Sequence, residues 1–165
     1  HIYANVTDGG GLTDDNYQEN IDMNWWGGIT LYTSAVSWGV VAPGIDFADP
    51  GANQTGINDT YIANGDYDEQ VAASGTWTGA SNNATLNETA SPAAQQFSLK
   101  ADDTAVLGSA VNVTASPTYV TIDDTGTQTA EEGDNVASNT LWLKLGTPFA
   151  SDTYSGSVYY AIANG

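Results

Sequence analysis

Carboxylates dominate the groups from which this chain could build chemistry: twenty Asp and Glu stand against two Lys, one His and no Cys, for a formal charge of −18. Without cysteine there are no thiolate nucleophiles, no thiolate metal ligands and no disulfides. Ser-His-Asp and Cys-His catalysis fail on the same shortage, the single imidazole being at residue 1. Carboxylate pairs remain, since glycoside hydrolysis needs only two. No pair is set in a surrounding motif, so the chain is read as not an enzyme.

His1 invites a copper reading, because a terminal amine and its own imidazole can chelate that metal. Closing such a site takes a second histidine, which the chain lacks. No cofactor is expected, calcium being the one the composition admits. Hard oxygen ligands cluster at Asp14 with Asp15, Asp66 with Asp68 and Glu69, Asp102 with Asp103, Asp123 with Asp124, and Glu131 with Glu132 and Asp134. None follows the EF-hand spacing; the run Asn64 to Glu69 comes nearest to a ligand-rich loop.

Asn-X-Thr sequons begin at Asn5, Asn53, Asn58, Asn83, Asn87 and Asn112. They make N-linked glycans expected partners, with Asn5 and Asn112 on the outward side of strands. Trp25, Trp26 and Trp77 would make a sugar-stacking platform if exposed in a row, and core or subunit interface if buried. Trp25 and Trp26 are adjacent, so in extended chain they point to opposite sides.

The only cations are Lys100 and Lys144. Nucleic acid and anionic membrane surfaces both demand clustered Lys or Arg and are excluded as partners. The acidity suits a high-salt, cation-rich or acidic habitat, and equally a solubilising surface. No run of residues is long and apolar enough to span a membrane. With a start at His1 and not Met, and a surface of Thr, Ser, Asn and Gly, the reading is a secreted, cell-surface protein.

The elements that would carry these groups are strands. Turn-forming Gly, Asn, Asp and Pro separate short alternating segments rich in Val, Ile, Thr, Tyr and Trp. In Leu141 to Leu145 three leucines share one face, predicted as core, and Trp142 and Lys144 share the other, predicted as wet. Phe97 and Leu99, Val111 and Val113, and Val120 and Ile122 alternate likewise. Further strands are expected over Ile29 to Val41, Thr60 to Ala63, Tyr67 to Ala73 and Ser155 to Ala163. The one helical candidate is a turn or two from Thr13 to Asn20. So many short strands in one chain of this length predict a single Ig-like or jelly-roll β-sandwich, residues 12–165, behind an N-terminal arm and glycine linker, residues 1–11.

In that arm Ile2, Ala4 and Val6 alternate with Tyr3, Asn5 and Thr7, followed by Gly9, Gly10 and Gly11. A strand on a glycine tether suits exchange between copies, in which backbone hydrogen bonds supply affinity and alternate side chains fill pockets. Ile2, Tyr3, Ala4 and Val6 are the expected contact residues.

Two stretches carry a family likeness. Val36, Ser37, Trp38, Gly39, Val40, Val41, Ala42, Pro43, Gly44 resembles the strand and Gly-X-Val-X-Pro-Gly turn of secreted Ig-like domains of archaea and bacteria. Thr147 to Ala161, with Tyr154, Ser155, Gly156, Ser157 and Val158, resembles their closing hairpin. The chain is thereby similar to TasA-like and camelysin-like matrix fibre subunits and to archaeal bundling pili. That resemblance implies a jelly-roll or Ig-like sandwich polymerised by donor-strand complementation, each N-terminal strand entering the next subunit. The expected function is a structural subunit of an extracellular filament whose partners are further copies of itself; a surface-layer or adhesin module and a carbohydrate-binding module are the alternatives.

Overall fold

The computed structural model describes residues 2–7, 13–18, 24–122, 128–129 and 135–165. The chain is an all-β sandwich, and among the described residues no helix occurs. The larger sheet holds β3 (Gly27–Leu31), β4 (Asn53–Ala63), β12 (Asn135–Leu145), β8 (Gln96–Asp102), β7 (Asn83–Leu86) and β6 (Thr76–Thr78) in that order, with β9 (Val111–Asn112) also paired to β8. The smaller sheet centres on β5 (Asp66–Ala73). β13 (Val158–Asn164) runs along one side of it, and β10 (Val120–Thr121) and β11 (Gln128–Thr129) share the other. The hairpin of β1 (Ile2–Thr7) and β2 (Thr13–Gln18) forms a sheet of its own.

The alternation read in the sequence places the core. Ile57, Phe97, Leu99, Leu141, Leu143 and Leu145 from the larger sheet meet Val71, Ala73 and Ile122 from the smaller side. Apolar burial of this kind stabilises by about 25 cal/mol per Å² removed from water. The chain passes from one sheet to the other at Asn64 and Gly65. There the Asn64 side chain accepts from Trp26 N–H (2.6 Å) and donates to the Asn24 carbonyl (2.9 Å), tying the approach to β3 against the turn.

Four expectations are corrected. Where a helical turn is expected over Thr13 to Asn20, the described part, Thr13–Gln18, is β2, in register with Ile2–Thr7. So short a helix is marginal in isolation, whereas β1 offers a ready-made ladder. The strand expected over Ile29 to Val41 ends at Leu31. Tyr32 and Thr33 N–H both turn onto the Asn58 carbonyl (2.9 and 3.3 Å), and the Thr33 hydroxyl accepts from Asn58 N–H (2.9 Å). The chain thus peels off β4 near Gly56, which has φ 73°, and Val36, Trp38 and Val41 lie on the core as irregular chain.

The outer side of β12 is not wet throughout. Trp142, 4% exposed, is covered by Phe47 and Ala110, which fold over it from distant loops. Finally, Thr147 to Ala161 is no closing hairpin. Ser155 bridges to Thr78, and β13 pairs with β5, far away in sequence.

Gly156 in that segment has a packing role. A Cβ there would fall inside the Trp77 ring, which stacks on Phe97. Gly156→Ala is expected to cost about 1–3 kcal/mol, as overpacking does, read as a lowered urea midpoint at unchanged m-value. A midpoint equal to wild type would show that the ring moves aside freely.

Candidate functional site

Two features stand apart from ordinary packing: the unpaired strand edges and a cluster of acids inside the sandwich. The first bears on assembly. β1 has β2 as its ladder partner, running from Ile2↔Gln18 to Thr7↔Thr13 across residues 8–12. The arm that carries Ile2, Tyr3, Ala4 and Val6, expected to find its mates in another copy, therefore has one edge occupied by its own chain. Among the described residues neither strand of the hairpin pairs with the sandwich. A two-stranded hairpin on its own is marginal in water, so a further ladder partner would stabilise it.

The sandwich has matching vacancies among the described residues. β3 ends the larger sheet with β4 as its sole ladder partner, and β13, which packs against β3, ends the smaller sheet beside β5. Trp26 (57% exposed), Leu31 and Tyr32 (64%) stand around the β3 edge. Natural edges are usually blunted by Lys, Pro or bulges; β3 reads Gly-Gly-Ile-Thr-Leu and has none of these.

The tryptophans do not form a row. Trp77 stacks on Phe97 with centroids 4.1 Å apart, and Trp25 is half-buried against Tyr61, Ala63 and Tyr67, its indole N–H donating to the Asp66 carbonyl (2.8 Å). Trp26 points away to solvent, as adjacency in an extended chain requires.

The sequons divide by accessibility. Asn53, Asn58 and Asn83 are exposed on β4 and β7. Asn87 is half-buried with its amide engaged: Nδ2 donates to Gln96 (3.0 Å), and Oδ1 accepts from the Thr89 hydroxyl (2.6 Å). Asn112 is half-buried opposite Lys100, and the Asn5 side chain lies outside the described residues.

The expected acidic clusters disperse. Alternation along β5 exposes Asp66 and sends Glu69 inward, so the run Asn64 to Glu69 is a turn and a strand, not one ligand loop. Asp14 with Asp15 lies in β2, while Asp123, Asp124, Glu131, Glu132 and Asp134 fall outside the described residues. Among the described residues no group of three or more His, Cys, Asp and Glu is arranged to hold a metal. Asp102 is buried beside β9. Burial pushes its carboxyl up, but hydrogen bonds from the Thr104 hydroxyl, Ser109 and the Thr104 N–H together outweigh this and hold it below the ordinary range.

Glu69 belongs to a different constellation, which pattern reading missed. From β4, Asp59 and Tyr61 point between the sheets; Asn139 joins them from β12 and Glu69 from β5, with Asp59 and Asn139 0% exposed and Glu69 2%. Tyr61 O–H reaches both Asp59 Oδ2 (3.0 Å) and Glu69 Oε1, and Asn139 Nδ2 reaches the same two oxygens, Asp59 at 3.2 Å. Burial pushes the Asp59 carboxyl up to about 6, against the hydrogen bonds of Tyr61 and Asn139. Burial also pushes Glu69 up to about 7, reinforced by the charges of Asp59 and Asp103. A signal was available: Asp59 falls in the apolar phase Ile57-X-Asp59-X-Tyr61-X-Ala63, and Glu69 sits between Tyr67 and Val71 in the same way.

The two lysines cannot neutralise this pair. Both lie over the Phe47 ring on the outer side of the larger sheet, at 5.7 and 5.8 Å from its centroid, and Lys144 pairs with Asp46 (2.8 Å). Compared with known proteins, the chain matches no family model, and it matches neither a curated protein nor a solved structure.

Proposed function

We propose that this chain is a structural subunit of an extracellular filament, pilus-like or of the matrix-fibre kind, whose copies are joined by strand addition from the N-terminal hairpin. The observation that carries this reading is the pairing of vacancies: β1 has one occupied edge, and β3 offers an unblunted edge flanked by Trp26, Leu31 and Tyr32. Adding β1 of one copy to β3 of the next would satisfy backbone donors and acceptors on both, several hydrogen bonds at roughly 0.5–1.5 kcal/mol each. Desolvation of the exposed aromatics would add to this. At Gly27 the missing Cβ makes room for Trp25 and Ile162 of the same chain, which pack against the face of β3 and leave its outer edge to backbone groups.

In this reading the protein is secreted and stands at the cell surface, with no enzymatic role. Glycans on Asn53, Asn58 and Asn83 face solvent. The −18 charge spaces neighbouring filaments unless salt screens it.

Electron microscopy of the full chain, of a variant lacking residues 1–7 and of Tyr32→Lys tests it. Filaments are expected from the full chain and none from the truncated form, with at least tenfold fewer from Tyr32→Lys; all three should share one thermal midpoint. Filaments from the truncated variant would refute strand addition by β1, and a full chain that stays monomeric at every concentration and salt would refute the filament itself.

A further inference from the structure

The proton inventory of the buried cluster does not close with both acids ionised. Tyr61 offers one hydrogen and the Asn139 amide two, and these contact a single oxygen from each carboxylate. One phenolic hydrogen cannot serve both acceptors at once. Asp59 Oδ1, Asn139 Oδ1 and Tyr160 Oη are buried without a hydrogen-bond partner.

Two bare charges in such a setting are expensive, and neither lysine reaches them. Around the pair, β4 contributes Asp59 and Tyr61, β5 Glu69, β12 Asn139, β13 Tyr160, and the turn after β8 Asp103. β3, β10 and β11 contain no titratable residue. Among the described residues every ionisable neighbour is therefore acidic or phenolic. The Tyr61 and Tyr160 hydroxyls are themselves pushed up by burial and by these acids, so they stay protonated.

We propose that Asp59 and Glu69 hold one proton between them and that this shared proton locks the two sheets together, so that its loss as pH rises to neutral loosens the sandwich. The geometry supports a lock rather than a local trait, because Asp59 and Asn139 belong to the larger sheet and Glu69 to the smaller. Like charges this close cannot both ionise without strain on the joint.

The direction follows from linkage. Both acids bind their proton more tightly folded than unfolded, Asp59 rising from 3.8 to about 6 and Glu69 from 4.5 to about 7. Stability from the pair is thus greatest below about pH 4, and it is lost as pH rises towards about 7. Surface repulsion among the remaining acids pushes the same way and must be screened, which about 1 M salt does by shrinking the Debye length to about 3 Å.

The test is the unfolding equilibrium of the full chain in such salt, from about pH 5 to about pH 8, beside Glu69→Gln, which keeps the shape of the protonated acid. The wild-type unfolding constant should rise about a hundredfold or more, and that of Glu69→Gln, in which burial still raises Asp59, at least tenfold less steeply. Asp59→Asn should flatten the profile in the same way if Glu69→Gln does not fold. Infrared spectra of the wild type should show a protonated-carboxyl band near pH 6 that Asp59→Asn or Glu69→Gln weakens and the double variant removes. A flat wild-type profile, an unchanged slope in both variants, or a slope that calcium abolishes and EDTA restores would overturn the proposal, the last by showing that a cation replaces the proton.

Discussion

Phe97→Ala should be the most damaging truncation in the apolar core, lowering unfolding free energy by about 3–5 kcal/mol. Phe97 is 0% exposed and lies at a three-way junction: it pairs with Leu145 on β12 and Leu86 on β7, and its ring stacks under Trp77. Trp77 in turn leans on Trp38, with centroids 5.9 Å apart. Deleting the ring removes its own transfer energy and leaves a cavity that rigid ladders on both sides cannot close. It also strands Trp77, an aromatic contact worth about 0.5–1.5 kcal/mol beyond area. Against a total stability of about 5–15 kcal/mol, that is a large share. A urea titration beside Val106→Ala, a truncation at a 57% exposed site expected to stay within about 0.5 kcal/mol, checks it. A loss below about 1 kcal/mol for Phe97→Ala would show that the aromatic stack is not central to the core.

That junction is partly readable from sequence. Alternation places Phe97 and Leu99 on one side and Leu141, Leu143 and Leu145 together, because a strand's period of two is a local property. The burial of Trp142 is not readable, since it depends on Phe47 and Ala110 arriving from loops far away in sequence. Strand ends escape for a similar reason. Ile29 to Val41 keeps β-favouring residues to its end, yet pairing stops where Thr33 and Asn58 exchange side-chain and backbone bonds. The hairpin at the terminus shows the limit most clearly. A glycine run reads as a tether, and composition alone does not say whether the strand before it folds back onto Thr13–Gln18 or reaches a neighbour.

The acid cluster is legible in principle and easily passed over. Asp59 and Glu69 occupy apolar phases of otherwise regular strands, which marks them as inward, but a chain with twenty acids makes any two of them look unremarkable. What turns them into a unit is a pairing across the two sheets, and Asn139 completes it from a third strand next to a register shift in β12. Such a break in the ladder frees a side chain to be re-aimed.

Asn139→Asp is expected to have the largest effect at neutral pH, because it changes charge and donors while leaving shape untouched. The substitution deletes the two N–H groups that reach Asp59 and Glu69 and puts a third carboxyl beside them, at a position 0% exposed. Breaking one side of a buried charged network costs about 3–5 kcal/mol. Once protonated, the new carboxyl returns one donor, so the loss should shrink by about half at pH 5. The sign follows from the neighbours: removing donors that favour the ionised forms raises the folded-state affinity of both acids for protons, which extends the fall in stability to higher pH. Denaturant midpoints near pH 5 and pH 8 for the wild type and this variant decide the matter. Equal losses at the two values would mean that Asn139 acts through shape or backbone alone, and that the acids it touches are not the seat of the sandwich's response to protons.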